Sequence, residues 1–363
     1  MLVGFLLSAF SFSAIAQNSN APGVRPLSGV AAATRFPIVV GTNGAVLSPT
    51  QYLGMYLQAS TSNTIAISNV VRDVINSLGG LTTTLTLGNA TLKFSKGLLT
   101  NSTVVSWDSD ALAFLGAASI TDSTISNAVN TFATTAKTHT GSWPSGFWSS
   151  FTCIYPFVGG NSTAHSKNLK GSSFPITWNG TVTHDSTGIT GNGTTGWGDT
   201  GYYPTNGTYA QDSATMLVYC ATTTPTDSGC FIGCSDFGNS VNASAYRADP
   251  NFKIYGPNNA VSGVTQTRSD FRGPLGWTRS GSSAWALITQ GGYTTQSAAS
   301  TGVPTIVSIG ILAENKSTGH AVGGFSNANL SFAMIGAGMT SGQYTEVLAA
   351  IQAFEGTLGR TAP

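Results

Sequence analysis

The stretch VTHDSTGITGNGTTGWGDTGYYPTNG, Val182 to Gly207, sets a His-Asp pair, a Trp, a second Asp and two Tyr among Gly, Thr and Asn. Two chemistries use such residues. A catalytic dyad would take His184 and Asp185, but adjacent residues on a strand point to opposite faces. No recognisable nucleophile motif accompanies the pair, so catalysis is the weaker reading. A sugar site would stack a pyranose ring on an exposed aromatic ring while amides and carboxylates take its hydroxyls. Trp197, Asp199, Tyr202 and Tyr203 are the candidates for that site. Strand alternation works against some of them, because it assigns about half of such side chains to the core.

Other chemistry is sparse. Glu314, Glu346 and Glu355 are the only glutamates, whereas most glycosidases need two carboxylates flanking the scissile bond. No such cluster of closely spaced acids is read on one strand, and the chain reads as a non-enzyme. The cysteines are Cys153, Cys220, Cys230 and Cys234. On one strand Cys230 and Cys234 would share a face about 13 Å apart, too far to bond. Cys220 would face Cys230 if ATTTPTDSG closes a hairpin; the other reading is buried free thiols. No Cys or His spacing matches a zinc site, and no metal or cofactor is expected from the motifs.

Composition narrows the class. Charged residues make up only 8% of the 363 residues, against about a quarter in typical soluble proteins. Gly, Ser, Thr and Asn take their place, which suits β-sheets with many tight turns. The 41% hydrophobic content argues against disorder. The 15 Lys and Arg are scattered and the net charge is +1, so no basic stripe exists to bind nucleic acid.

The elements that must position these residues follow in order. MLVGFLLSAFSFSAIAQ has the apolar core and Ala14-Ile15-Ala16 cleavage pattern of a signal peptide, without an opening Lys or Arg. It is shorter than the roughly 20 apolar residues of a membrane span. The alternative is that residues 1–16 dock on a partner subunit. Residues 1–23 form this segment and a linker, and residues 24–108 form a small hairpin-and-helix module. There RFPIVVGTNGAVLSPTQYLGMYLQ reads as strand, turn, strand and helix, with Asn43-Gly44 at the turn and Ser48 capping the helix. A second helix is predicted over NVVRDVINSL, and LTTTLTLGNATLKFSKGLLTNSTVVSW reads as strands around turns.

Residues 109–363 form the main domain. Ile125, Val129, Phe132 and Ala136 fall on one helical face after Asp122. Many short strands follow, including FTCIYPF, ATMLVYCAT, CFIGCS, AWALITQ and NLSFAMIG, a spacing that indicates a sandwich or jelly roll. TSGQYTEVLAAIQAFEGTLGR closes the chain as a helix, with a Thr340–Gln343 capping box and Gly359 just past its end.

Four stretches between about Asp110 and Arg360 stand out together: FLGAASITDSTISNAVNTF, IYPFVGGNSTAHSKNLKG, WNGTVTHDSTGITGNGTTGWGDTGYYP and LSFAMIGAGMTSGQYTEVLAAIQAFEGTLGR. In their order and spacing the chain resembles virion-appendage proteins of bacteriophages and prophages, tail fibres among them, that carry a concanavalin A-like (laminin G-like) domain. The segment between the second and third is shorter than in that group. The resemblance implies a mainly β fold: a concanavalin A-like jelly-roll β-sandwich with a C-terminal helix, after a small α+β module. It allows a rim Ca²⁺, for which Asp185 and Asp199 are the nearby acids. It implies a structural virion protein, extracellular, assembling with itself (a trimer is the form considered) and with other virion proteins, whose head contacts host-surface glycans. A secreted or surface-anchored lectin-like adhesin is the alternative, and a polysaccharide-degrading enzyme on the same sandwich is the third reading.

Overall fold

A computed structural model of the protein describes residues 107–360, apart from positions 227, 237–240, 249–250, 260–263 and 318, and five strands within the first 106 residues. The chain divides into two compact units, Met1–Ser106 and Trp107–Pro363.

In the first unit β1 (Arg35–Ile38) pairs antiparallel with β2 (Met55–Gln58), Arg35 opposite Gln58. This corrects the helix expected after Ser48: Met55–Gln58 is strand. A local cap signal is weak beside the ladder of a partner strand, which overrides helix propensity. Asn43-Gly44, the start at Ser48, the helix over NVVRDVINSL and the apolar residues 1–16 lie outside the described residues. The strands read from LTTTLTL onward are present as a three-stranded meander, β3 (Thr83–Leu87), β4 (Ala90–Ser95) and β5 (Leu98–Thr103).

The second unit is mainly β. It opens with helices α1 (Ser109–Ala117) and α2 (Ser123–Thr138), then β6 (Phe151–Tyr155) and the short turn of helix α3 (Ser162–His165). β7 (Thr177–Asn179), β8 (Val182–Asp185), β9 (Gly188–Gly191), β10 (Trp197–Asp199), β11 (Ala214–Cys220) and β12 (Cys230–Asp236) follow. Then come β13 (Val241–Ala248), β14 (Asn251–Asn259), β15 (Val264–Thr267), β16 (Gly273–Arg279), β17 (Ala284–Thr289) and β18 (Gly292–Ser297). β19 (Gly310–Ile311), β20 (Glu314–Lys316), β21 (Asn329–Gly336) and α4 (Ser341–Thr357) complete it.

Two eight-stranded sheets result. The first runs β18-β17-β16-β11-β21-β9-β8, with β6 also pairing with β21. The second runs β15-β14-β13-β12-β19-β10-β7, with β20 beside β12. Among the described residues all pairings are antiparallel except β12–β20.

The period of two along β11 sorts its side chains between two cores. Ala214, Met216, Val218 and Cys220 join the cluster between the sheets, whereas Leu217 and Tyr219 face the helices. β21 repeats the pattern, with Ala333 and Ile335 between the sheets and Phe332 and Met334 under the helices. Where β21 meets the end of β11 the register slips by one: Leu330 opposes Cys220 and Phe332 opposes Tyr219. Ser331 is the extra residue of this bulge. α2 and α4 cover the outer face of the first sheet. Phe132 of α2 and Phe354 of α4 lie 5.2 and 5.5 Å from Phe332, ring centre to ring centre.

The sequence signals of both helices are realised. Asp122 caps α2 by accepting from the Ile125 N–H, and Thr340 and Gln343 form the reciprocal box at α4. At the far end of α4, Gly359 takes φ +68°. The Arg360 N–H then bonds the Glu355 carbonyl and the Gly359 N–H that of Gly356, a left-handed closure that favours glycine. This turn brings the Arg360 guanidinium back onto Glu355, with Nε 3.0 Å from a carboxylate that is 0% exposed.

Two substitutions test this layering. Phe332→Ala should cost about 3–5 kcal/mol in denaturant unfolding, since it opens a cavity under both helices. Glu355→Ala should cost a similar 3–5 kcal/mol by leaving a buried guanidinium unpaired. Leu112→Ala, at an exposed position, should stay within about 0.5 kcal/mol of the parent.

Candidate functional site

The three residues of β10 fix the geometry of the opening stretch. Gly198 pairs with Trp178 of β7 and with Ile311 of β19, and Ile311 belongs to the core between the sheets. The Trp178 ring lies over Gly198, where a Cβ would stand 2.7 Å from the indole. Alternation therefore turns Trp197 and Asp199 to the outer face of the second sheet. Asn179 and Thr177 lie opposite them in register.

That outer face is polar across several strands. Asp199 accepts from the Ser308 hydroxyl at 2.6 Å and from the Gly201 N–H at 2.9 Å, and Asn315 donates to Ser308 at 2.9 Å. Further along the face, Glu314 lies in register with Gly233, and Gly233 with Ser244. Its carboxylate accepts from Ser235 at 2.5 Å and from Ser244 at 2.8 Å, while Ser235 also reaches Asn242 at 2.7 Å. The Lys316 ammonium stands 3.8 Å from the other carboxylate oxygen. Glu314 is buried among these groups. A lone glutamate inside the apolar run GILAENK is the trace of this in the sequence, since an unpaired charge is not tolerated in such a run. Ser235, Ser244, Ser308 and Asn315 left no trace there.

The four residues singled out for sugar binding are not equivalent. Trp197 and Asp199 are half-buried on the outer face, and Tyr203 is 40% exposed. Tyr202 is fully buried, stands edge-on to Phe174 at 5.0 Å and donates its hydroxyl to the Asn206 carbonyl. No face of its ring is open to a ligand. Its phenol is pushed up from the usual tyrosine range by burial.

His184 and Asp185 diverge. Asp185 is exposed and accepts from the Thr187 N–H and hydroxyl, which hold its carboxyl below the usual range. His184 instead meets His165, with the two Nδ1 atoms 3.1 Å apart. Asp185 lies on the first sheet, facing away from His184, and Asp199 on the outer face of the second. The two acids offered for a rim Ca²⁺ therefore belong to different sheets. Among the described residues no three His, Cys, Asp or Glu side chains gather as a metal site, and no helix is long and apolar enough to cross a membrane.

All four cysteines are buried and free. The hairpin that would have joined Cys220 to Cys230 does not form, because β11 and β12 belong to different sheets. Their connection crosses the sandwich instead of turning back. Burial pushes the Cys153 and Cys220 thiols up to about 12, and those of Cys230 and Cys234 well above the usual range.

No protein-family model matches this sequence, and no curated protein matches it. The functional reading therefore rests on the geometry of the outer face. A carboxylate, hydroxyls and amides flanking one indole can hydrogen-bond a polyhydroxylated ligand while stacking on its apolar side.

The thiols give a direct check. At pH 8 the folded protein should show essentially no reaction with a thiol-specific disulfide reagent, and all four cysteines should react once it is unfolded. Rapid labelling of Cys220 or Cys230 in the native state would contradict the burial described.

Proposed function

We propose that this protein is a non-enzymatic structural component of a bacteriophage particle, tail-fibre-like, whose C-terminal unit is a concanavalin A-like jelly-roll head that contacts glycans of the host surface. The observation that carries this reading is the outer face of the second sheet. Trp197 presents an aromatic surface there, and Asp199, Asn315, Asn179 and Thr177 supply the hydrogen-bonding groups of the same face. The sparse charge and abundance of Thr, Ser and Asn suit a protein that assembles outside the cell as a homo-oligomer and with other virion proteins. A trimer is the number we favour. Residues 1–23 and 24–108 would then supply assembly and attachment, and residues 109–363 recognition.

The test is binding of the purified protein to intact host cells and to an array of bacterial surface polysaccharides. Trp197→Ala should weaken binding about tenfold or more, as loss of a central aromatic anchor does. Thr183→Ala, on the other sheet, should leave it unchanged. Retention by no polysaccharide, or equal retention of the Trp197→Ala variant, would remove the glycan reading. Release of reducing sugar would overturn the non-enzymatic one. The intact mass of the natural protein separates virion from adhesin. Residues 1–16 retained on the particle support the former, and a chain beginning at Gln17 supports the latter.

A further inference from the structure

The edge strands β7 and β8 belong to different sheets, so the chain between them runs along one open side of the sandwich. Val182 of β8 packs against the core between the sheets. His184, two residues on, shares that inward face. The Trp178 ring from β7 stands edge-on to His184, with ring centres 4.8 Å apart. His165, the last residue of α3, closes the gap from outside and is 1% exposed. We propose that His165 and His184 form an acid-released latch that holds the β8–β9 hairpin against α3 and shuts this side of the sandwich.

The geometry allows only one proton between the two facing nitrogens. At 3.1 Å one ring donates its Nδ1–H and the other accepts with a lone pair. A second proton, placed on the accepting nitrogen, makes that ring a cation and leaves two N–H groups facing each other with no acceptor between them. Nothing nearby relieves that. Phe157 is edge-on to His165 at 6.0 Å and its carbonyl is taken by Arg360. The Trp178 N–H is spent on the Ser162 carbonyl, and the buried His165 Nε2 has no hydrogen-bond partner. The charged groups facing the pair are the Asp185 carboxylate, turned to Thr187, and the Arg360 guanidinium, which is a further positive charge paired with Glu355. Burial, His184 and Arg360 hold His165 down to about 3, and burial lowers His184 as well.

Both histidines therefore bind fewer protons in the closed form than when released. The stabilisation they give is complete above about pH 6.5, the ordinary histidine value, and is lost as pH falls from there towards the depressed values. Each histidine shifts the balance towards the open form by up to about tenfold per pH unit in that window, so the pair gives at most about a hundredfold. Glu355 works in the opposite sense. Burial pushes its carboxyl up to about 7 against the pull of Arg360. Its contribution is present below its ordinary value and lost as pH rises through 7. Global unfolding mixes the two, whereas exchange at the hairpin reads the latch. The latch stands whether or not the outer face binds a glycan.

The test is hydrogen–deuterium exchange of the full chain at pH 7.5, 6.5 and 5.5, corrected for the intrinsic rate at each pH. Peptides covering Val182–Gly191 and Ser162–His165 should lose protection by at least tenfold between pH 6.5 and 5.5, while β11 and α4 hold theirs. His184→Gln keeps a neutral hydrogen-bonding group and should reduce the pH dependence to that of one histidine. His165→Gln with His184→Gln should abolish it. Hairpin protection that is flat across this range, or an undiminished slope in His184→Gln, would overturn the proposal.

Discussion

The central strands of the first sheet are buried on both faces, and this constraint governs most of the second unit. β11, β16 and most of β21 have no exposed side chain, and in β11 and β21 one set of alternate residues meets the second sheet while the other meets α2 and α4. Polar side chains in such strands must find partners inside the protein. Thr215 and Thr278 do so by sharing a hydrogen bond at 2.7 Å across β11 and β16. Thr215 also donates to the Ala337 carbonyl, and Thr278 accepts from the Met339 N–H. The pair thus ties the connection into α4 to the sheet that α4 covers. The Glu355–Arg360 pair secures the opposite end of the helix. Between them the Phe132–Phe332–Phe354 group supplies the apolar contact.

Among the described residues no helix covers the second sheet, and its outer face carries polar side chains. Glu314 and Asp199 both lie there, each satisfied by hydroxyl donors. A carboxylate on the outer side of the first sheet would have to be desolvated beneath the helices, as Glu355 is, and would need a buried cation of its own. The asymmetry of the layers thus determines which face can present hydrogen-bonding groups outward. It also explains why the outward residues of β7 and β10, Thr177, Asn179, Trp197 and Asp199, are polar or amphipathic while their inward neighbours are Trp178 and Gly198.

Legibility in the sequence follows the same division. α2 and α4 were readable because a cap residue and a helical stripe coincide, as at Asp122 with Ile125, Val129 and Phe132, and at Thr340 with Gln343. ATMLVYCAT and NLSFAMIG were readable as strands because two-sided burial makes them almost continuously apolar. GPLGWTR and VNASAYRA were not, although they form β16 and β13. Gly273, Pro274 and Gly276 are poor strand formers; Gly276 is required because a Cβ there would collide with the Met216 carbonyl, and Gly273 takes φ +92°. Pro274 also lies beyond the stretch of β16 that β17 pairs with. The hairpin drawn between Cys220 and Cys230 failed because a nine-residue loop fits either a return in one sheet or a crossing to the other, and local sequence does not distinguish them. Of the candidate site, Trp197 and Asp199 are suggested by residue type alone, and the structure places both half-buried on the outer face. Tyr202 was misplaced because two adjacent tyrosines give no sign of which one faces inward.

The polar corner at His165 and His184 has its origin in topology. When the chain leaves β7 in one sheet and enters β8 in the other, neither edge strand has a neighbour on that side, and the inter-sheet core is open there. An apolar plug alone would leave the carbonyl of Ser162 without a donor at this partly wet margin. The indole of Trp178 fills the volume and also donates to that carbonyl, while the two imidazoles bridge α3 to β8 without a fixed charge. The same indole lies against Gly198 of β10. Any movement of the hairpin that frees His184 also removes a wall of the Trp178 pocket, and with it support beneath the strand that carries Trp197 and Asp199. The closed side of the sandwich and the polar outer face are thereby mechanically continuous through one ring.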